Sequence, residues 1–199
     1  MDGVAWAASA MVAARTRLDI ATENLANVST DGFRRVDARG FLSRLGVEIA
    51  RQPSREHGAL RQTGRDLDLA ILGDGAFAVR DATGRFARTR AGAFVRRLDG
   101  TLCDAAGRAL LGRHGAVRLS ASARIDERGR ILEGGRVVDE LGLPPSARVR
   151  TGFLESAGVD AIAEMIEVLR AERSFESAQK VVAAIDATRQ KSAEAARFK

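Results

Sequence analysis

The amino-acid sequence predicts an α+β protein in which long N- and C-terminal helices pair as a coiled coil, with a mainly antiparallel β domain inserted between them. Three observations support this prediction. Apolar residues recur every seven positions near both ends of the chain, glycine turns separate short apolar runs in the middle, and the 199 residues are 45% apolar. Only 5% of the residues are aromatic, so the core is expected to rest on small and aliphatic side chains.

A heptad pattern predicts an N-terminal axial helix within residues 1–35. Both core positions of each heptad are apolar, which is typical of a coiled-coil seam. The residues at these positions are Val4, Met11, Leu18 and Leu25, and three residues later Ala7, Ala14, Ala21 and Val28. The turn-forming residues 29–32 are expected to end the helix.

The same pattern predicts a C-terminal axial helix within residues 150–199, packed against the first. Its core positions are Val168, Phe175 and Val182, and three residues later Ala171, Ala178 and Ile185. Further apolar residues widen the stripe beyond what one partner helix covers, so this helix is expected to need several neighbours. They are Ile162, Met165, Ile166, Leu169 and Val181.

Between the helices, residues 66–149 are predicted to form the antiparallel β domain, since glycine turns separate strand-like runs such as 67–72, 77–80 and 93–98. Residues 73–75 are interpreted as a hairpin turn. Residues 36–65 have weak periodicity and are predicted to be an irregular connector.

Composition argues against several classes of function. The net charge of +6 raises the possibility of a nucleic-acid partner, but the 32 basic residues are scattered and include only three lysines. Cys103 is alone, so no intrachain disulfide is possible, and it is interpreted as a buried strand residue. His57 and His114 match no metal-ligand spacing and are interpreted as surface residues.

The N-terminus contains an apolar run, but Met1 is followed by Asp2 rather than by a basic segment, so no cleaved signal peptide is expected. The run is also too short to span a bilayer, and the protein is not expected to insert into a membrane.

One stretch invites a different hypothesis, because residues 69–78 fit a strand followed by a weak dinucleotide-binding fingerprint. That fingerprint requires a helix after its glycines, and residues 77–84 are too short for one. No arrangement of Ser, His, Asp or Cys suggests a catalytic site. We therefore expect no enzymatic activity, no cofactor, no metal and no small-molecule substrate.

Several collinear motifs resemble the flagellar basal-body rod protein family, which includes rod and hook axial proteins. The most specific is the Asn24-Leu25-Ala26-Asn27 core within residues 18–35. Matching stretches follow in the family's order at 63–71, 73–77, 89–94, 152–160, 164–166 and 173–176. Two departures are a short segment at 36–62 and Phe175 at a position where family members often have Tyr.

The resemblance implies a structural rod subunit that polymerises through its terminal helices into the drive shaft that transmits torque for motility. It implies self-association, contacts with other rod or hook subunits, and passage through the flagellar type III export apparatus to the basal body, where the rod spans the periplasm. A hook or hook-associated protein is the alternative within the family, although the short β region favours a rod protein. A basic DNA-binding module is the alternative outside it.

The predicted assembly interface combines the heptad positions with the asparagine motif. Asn24 and Asn27 have two open interpretations, a local helix cap or an interhelical or intersubunit contact. The predicted interface residues are Met11, Leu18, Asn24, Leu25, Asn27, Val28, Met165, Val168, Leu169, Phe175, Val182 and Ile185.

Overall fold

The computed structural model describes residues 3–43 and 46–197. It contains two helices, α1 (Gly3–Ala26) and α2 (Ala161–Arg197), which pack against each other and confirm the predicted helix pairing. The helix α2 begins later than the predicted bound of 150, because residues before it belong to strands and Asp160 caps its first turn. The Asp160 carboxylate accepts hydrogen bonds from the backbone N–H groups of Ile162, at 2.9 Å, and Ala163, at 3.2 Å.

Two long strands lie where an irregular connector was predicted. Strands β1 (Val36–Ser43) and β2 (Gly46–Pro53) pair antiparallel, from Val36 opposite Pro53 to Ser43 opposite Gly46. They pack along α1, where the Ser9 hydroxyl accepts a hydrogen bond from the Val47 N–H at 3.2 Å. Most side chains of both strands are exposed, so the buried and exposed alternation that signals a strand is weak in the sequence.

The helices and the β1–β2 pair form one compact unit, and residues Ser29–Arg34 and Glu56–Gly158 form a second. The second unit is mainly antiparallel β structure, as predicted, but it extends beyond the predicted bounds of 66–149. Its strands are β3 (Leu60–Gln62), β4 (Leu69–Leu72), β5 (Phe77–Arg80), β6 (Phe86–Thr89), β7 (Val95–Arg96), β8 (Leu102–Cys103), β9 (Ala109–Gly112), β10 (Gly115–Ala116), β11 (Arg124–Ile125), β12 (Arg130–Glu133), β13 (Arg136–Glu140), β14 (Arg148–Thr151) and β15 (Phe153–Glu155).

The strands of the second unit form four antiparallel groups. The largest has the order β6-β5-β9-β8-β7, with β10 added beside β9, and a second has the order β11-β12-β13. The strand β14 pairs with β4, and β15 pairs with β3. The turn at 73–75 therefore does not join a hairpin, because β4 pairs with β14 while β5 pairs with β6 and β9.

The strands enclose one apolar core, in which Phe77 and Phe94 meet edge to face with their ring centroids 5.3 Å apart. Cys103 lies buried in β8, as predicted from its sequence context. The other members of the core cluster are Leu69, Ile71, Val79, Leu102, Leu110, Val117, Leu119, Ile131, Leu141, Ala147 and Val149.

Three hairpins of the second unit share one five-residue turn of sequence Asp-x-x-Gly-Arg, at residues 81–85, 104–108 and 126–130. In each turn one Asp oxygen accepts the Arg N–H at 2.9 Å, and the other Asp oxygen pairs with the Arg guanidinium. The glycine has a positive φ of 87°, 77° and 76° respectively, which favours Gly over any residue with a Cβ. The sequence pattern had indicated the glycines but not the repeated Asp and Arg.

We expect the Asp81→Asn variant to be less stable than the wild type at neutral pH, by an amount that shrinks in acid. Hydrogen bonds from the Thr83 hydroxyl and the Arg85 N–H lower the pKa of Asp81 to about 2. Because this folded-state pKa lies below the ordinary value of about 3.9, the stabilisation is present above that value and is lost as pH falls toward the folded-state pKa. Thermal unfolding of both proteins from neutral pH down to the folded-state pKa of about 2 measures the difference in stability.

Asp66→Asn is the control for this experiment, since Asp66 is exposed and makes no hydrogen bond with any residue that the structure describes. It should unfold like the wild type at every pH. If the difference in stability between Asp81→Asn and the wild type stayed constant from neutral pH to strong acid, the lowered pKa of Asp81 would not be its cause.

Candidate assembly surface

Close packing of α1 and α2 depends on small side chains at the contact. The buried residues of α1 include Ala7, Ala14 and Ala21, all at one predicted heptad position, and Ala171 and Ala178 occupy the matching position of α2. Alanines at these positions allow the two backbones to approach closely. The helices run antiparallel, because Gly3 lies beside Ile185 while Asn24 bonds to Glu164.

A buried carboxylate, that of Glu164, lies where α1 ends and α2 begins. Glu164 is 1% exposed and accepts hydrogen bonds from Arg35 Nε at 2.5 Å and from Asn24 Nδ2 at 3.2 Å. Arg35 also pairs with Asp37, so its guanidinium lies between two carboxylates. A buried charge with a cationic partner and an amide donor is stabilised where an isolated one would not be.

Asn24 also joins this carboxylate to strand β1. Its side-chain amide donates to the Val36 carbonyl at 2.9 Å, and its oxygen accepts from the Val36 N–H at 2.8 Å. The side chain thus pairs with both backbone groups of one residue, as a neighbouring strand would. Since Asn24 is 0% exposed, the structure supports the interhelical interpretation of this residue rather than direct contact with another subunit.

Asn27 instead lies just beyond the end of α1. Its side-chain amide donates to the Glu23 carbonyl at 2.9 Å, and its backbone N–H points to the carbonyls of Glu23 and Asn24. It therefore satisfies carbonyl groups that the helix terminus leaves free, which is the local-cap interpretation.

The remaining predicted interface residues divide into two groups. One group is partly buried within the subunit: Met11, Leu18, Leu25, Val28, Val168, Phe175, Val182 and Ile185. The other group is exposed and consists of Met165, 52% exposed, and Leu169, 55% exposed.

Met165 and Leu169 belong to a longer apolar face of α2 that points away from α1. Its other members are Ile162, 71% exposed, and Ile166, 43% exposed. These four residues have the i, i+3, i+4, i+7 spacing of one helix face. A contiguous exposed apolar patch of this kind marks a contact surface on a protein. We name residues Ile162, Met165, Ile166 and Leu169 the outer face of α2.

A second buried carboxylate, which the sequence patterns did not reveal, organises the β-rich unit. Glu155 and Arg90 are 3% and 4% exposed, and Arg90 Nε donates to Glu155 Oε2 at 2.6 Å. The other guanidinium nitrogens donate to the carbonyls of Ile71, Gly73 and Gly75. These bonds hold the chain between β4 and β5 in its turn without any pairing between those strands.

Segments distant in sequence also converge on Glu155. Its second carboxylate oxygen accepts the Gly58 N–H at 3.3 Å and lies 3.7 Å from His57. Its backbone carbonyl accepts the Gly32 N–H at 2.6 Å. Gly32 has a φ of +71°, and a Cβ there would come within 2.3 Å of the Ala91 backbone, so only glycine fits this position of the motif.

His114 is 79% exposed at its side chain and contacts Asp139, in agreement with its prediction as a surface residue. Within residues 3–43 and 46–197, no three His, Cys, Asp or Glu side chains are grouped as metal ligands would be. In the same residues, no helix combines the length and apolar character needed to cross a bilayer.

A helix pair formed from the first and last segments of the chain, with a β domain inserted between them, defines an α+β class of structure with an apolar helix face left exposed. Three family models match successive parts of the chain. "Flagella basal body rod protein" matches residues 6–34, "Flagellar hook protein FlgE/F/G D1 domain" matches 70–144, and "Flagellar basal body rod FlgEFG protein C-terminal" matches 150–195.

Individual relatives agree with these matches. The chain is 30% identical to the flagellar basal-body rod protein FlgF of Rhizobium meliloti, over 88% of this chain and 89% of the relative. It is 26% identical to the flagellar basal-body rod protein FlgG of Agrobacterium fabrum, over 94% of this chain and 96% of the relative. The chain is 36% identical to the flagellar hook protein FlgE of Rhizobium meliloti, but over only 52% of this chain and 28% of the relative. The chain belongs to the flagellar basal-body rod protein family.

We expect Glu164→Leu to lower the free energy of unfolding by roughly 2 to 3 kcal/mol, because the buried hydrogen bonds to Arg35 and Asn24 are lost. Urea unfolding of the full chain, followed by circular dichroism of the helices, measures the loss. Glu167→Leu is the matched control, since among the described residues Glu167 has one ion pair, with the exposed Arg170. Equal losses in the two variants would contradict the role assigned to Glu164.

We expect Arg90→Met to destabilise the chain by roughly 3 to 5 kcal/mol, since the variant leaves Glu155 buried without its cation. The control is Arg88→Met, because Arg88 is exposed and unpaired among the described residues. The same urea experiment compares them. If Arg88→Met proved as damaging as Arg90→Met, the buried ion pair would not be the cause.

Proposed function

We propose that this protein is a structural subunit of the bacterial flagellar basal-body rod, which polymerises through its terminal helices and transmits torque for motility. The observation that carries the proposal is the outer face of α2. This exposed apolar surface lies within the residues that match the "Flagellar basal body rod FlgEFG protein C-terminal" family model. The rod proteins FlgF and FlgG match the chain over most of their length, which supports a rod location over a hook location.

Helices α1 and α2 pack against each other within one subunit. Two antiparallel helices already cover each other's heptad seams, so the subunit is folded before it assembles. The outer face of α2 has no such cover among the described residues, and burying it removes apolar surface from water. When identical subunits join by head-to-tail contacts that do not close a ring, the product is a helical filament. A rod requires that geometry.

The predicted interface residues take two roles in this proposal. Met165 and Leu169 contact neighbouring subunits directly. The other ten shape the helix pair that presents them: Met11, Leu18, Asn24, Leu25, Asn27, Val28, Val168, Phe175, Val182 and Ile185.

We also propose a route by which the subunit reaches the rod and a mechanical role for its β-rich unit. The chain passes unfolded through the flagellar type III export apparatus, joins other rod or hook subunits in the periplasm and has no catalytic role. The Asp-x-x-Gly-Arg turns support this route, because hairpins specified by local contacts form quickly once the chain is released. The β-rich unit thickens and stiffens the rod.

The direct test is peptide mass spectrometry of hook-basal bodies purified from the source bacterium. The proposal predicts the chain at amounts comparable to other axial components, and deletion of its gene should abolish swimming. Absence of the chain from intact basal bodies would reject a rod function.

We expect Leu169→Arg to leave the subunit folded but to abolish swimming, because the exposed side chain tolerates a charge in the monomer while a buried contact does not. Val137→Arg is the control, since Val137 is similarly exposed, at 51%, on strand β13. Soft-agar motility and circular dichroism of the purified chains measure both effects. Normal swimming of the Leu169→Arg strain would exclude the outer face of α2 from the assembly contact.

A further inference from the structure

A groove of about 470 Å³ lies beside the helix pair, between α1, strand β1 and the first turns of α2. Its apolar lining includes Ile20 and Ala21, both 3% exposed, together with Val36 and Ala38. Two arginines, Arg17 and Arg39, form its rim. We name this feature the arginine groove.

The arginine groove is lined by three arginines and three carboxylates, and each of those carboxylates already pairs with Arg35 or Arg170. Arg35 is held by Glu164 and Asp37, and Glu167 is held by Arg170, so these four side chains already have partners. The side chains of Arg17 and Arg39 are exposed and have no hydrogen bond or ion pair within the described part of the chain. Arg17 and Arg39 are therefore the two arginines of the lining whose side chains lack an anionic partner among the described residues.

The position of Arg17 also depends on strand β1. A Cβ added at Gly40 would lie 3.3 Å from a terminal nitrogen of the Arg17 guanidinium, so this side chain reaches across the backbone of Gly40. Arg17 on α1 and Arg39 on β1, 22 residues apart in sequence, both line the groove. Two neighbouring arginines favour a partner that presents carboxylates.

Helix α2 presents such carboxylates next to its outer face. Glu172 and Glu176 are exposed, and neither bonds to any other described residue. They stand four residues apart, a spacing at which like charges destabilise a helix. A cationic partner would remove that repulsion.

Helix geometry places these glutamates on the same side as the apolar residues. At about 100° per residue, Met165, Leu169, Glu172 and Glu176 fall within an arc of roughly 60°. Glu167, which lines the arginine groove, points roughly 160° to 220° away from them by the same geometry. The groove and this face of α2 are therefore separate surfaces that one subunit can use at the same time.

We propose that Met165, Leu169, Glu172 and Glu176 of one copy dock into the arginine groove of the next copy, with the glutamates paired to Arg17 and Arg39. This inference rests on the proposed rod function and names the contact through which the chain self-assembles. The contact is heterologous, because each copy offers a groove on one side and a helix face on the other. Repetition of that contact extends an open polymer.

Charge reversal on each side tests the contact in cells. Arg17→Glu with Arg39→Glu makes the groove variant, and Glu172→Arg with Glu176→Arg makes the helix variant. Each replaces the chromosomal copy, and mass spectrometry measures the amount of the chain per purified basal body. We expect each variant to fall by more than roughly tenfold, because like charges then face each other across the contact.

Complementation distinguishes the proposed contact from general damage. A chain with all four reversals should recover the wild-type amount, and so should co-expression of the groove variant with the helix variant, since each then finds an oppositely charged partner. The control is Arg124→Glu with Arg128→Glu, two exposed arginines of the β-rich unit whose side chains lack hydrogen-bond and ion-pair partners among the described residues. It should incorporate normally, and circular dichroism should show every variant folded.

Three results would overturn the inference. If the groove or helix variant incorporated at the wild-type level, the contact would be wrong while the rod function stood. If the fourfold variant failed to recover, the two surfaces would not be partners. If the wild-type chain were absent from basal bodies, the proposed function itself would fail, and this inference with it.

Discussion

The buried carboxylate of Glu164 is the interaction on which the helix unit depends. It receives Arg35 from the start of the β1 region and Asn24 from the end of α1, while Asn24 pairs with both backbone groups of Val36. Two neighbouring segments, the end of α1 and the start of β1, are thus joined to a carboxylate more than 120 residues later in the sequence. Because a buried carboxylate without these partners is strongly unfavourable, the network favours a single arrangement of α1, β1 and α2 over other helix pairings. The alanine contacts supply close packing, and the carboxylate fixes where along the helices that packing occurs.

This arrangement determines which surfaces remain for assembly. The seam alanines are buried within the subunit, so the proposed assembly uses the exposed apolar residues of α2, notably Met165 and Leu169. The same packing brings Arg17 and Arg39 to one groove and leaves Glu172 and Glu176 on the opposite side of the helix pair. In the proposed assembly, a subunit with these two surfaces polymerises without first unpairing its own helices.

The sequence predicted the features that depend on local patterns. The heptads gave both helices and their buried faces, and strand β5 (Phe77–Arg80) has its predicted bounds. The β1–β2 pair escaped prediction because most of its side chains face solvent, so no alternation of apolar and polar residues marks it. The turn at 73–75 was misassigned as a hairpin because its conformation is set by Arg90 from elsewhere in the chain. The heptad pattern also could not distinguish apolar residues that pack within the subunit from apolar residues that face outward.

The measurement that tests this account most directly is a cryo-electron microscopy reconstruction of the rod in basal bodies from the source bacterium. The account predicts that α1 and α2 of one chain remain paired around Glu164, and that a neighbouring chain covers Met165 and Leu169. Density showing α1 of one chain paired with α2 of another, or Met165 and Leu169 facing solvent in the assembled rod, would contradict it.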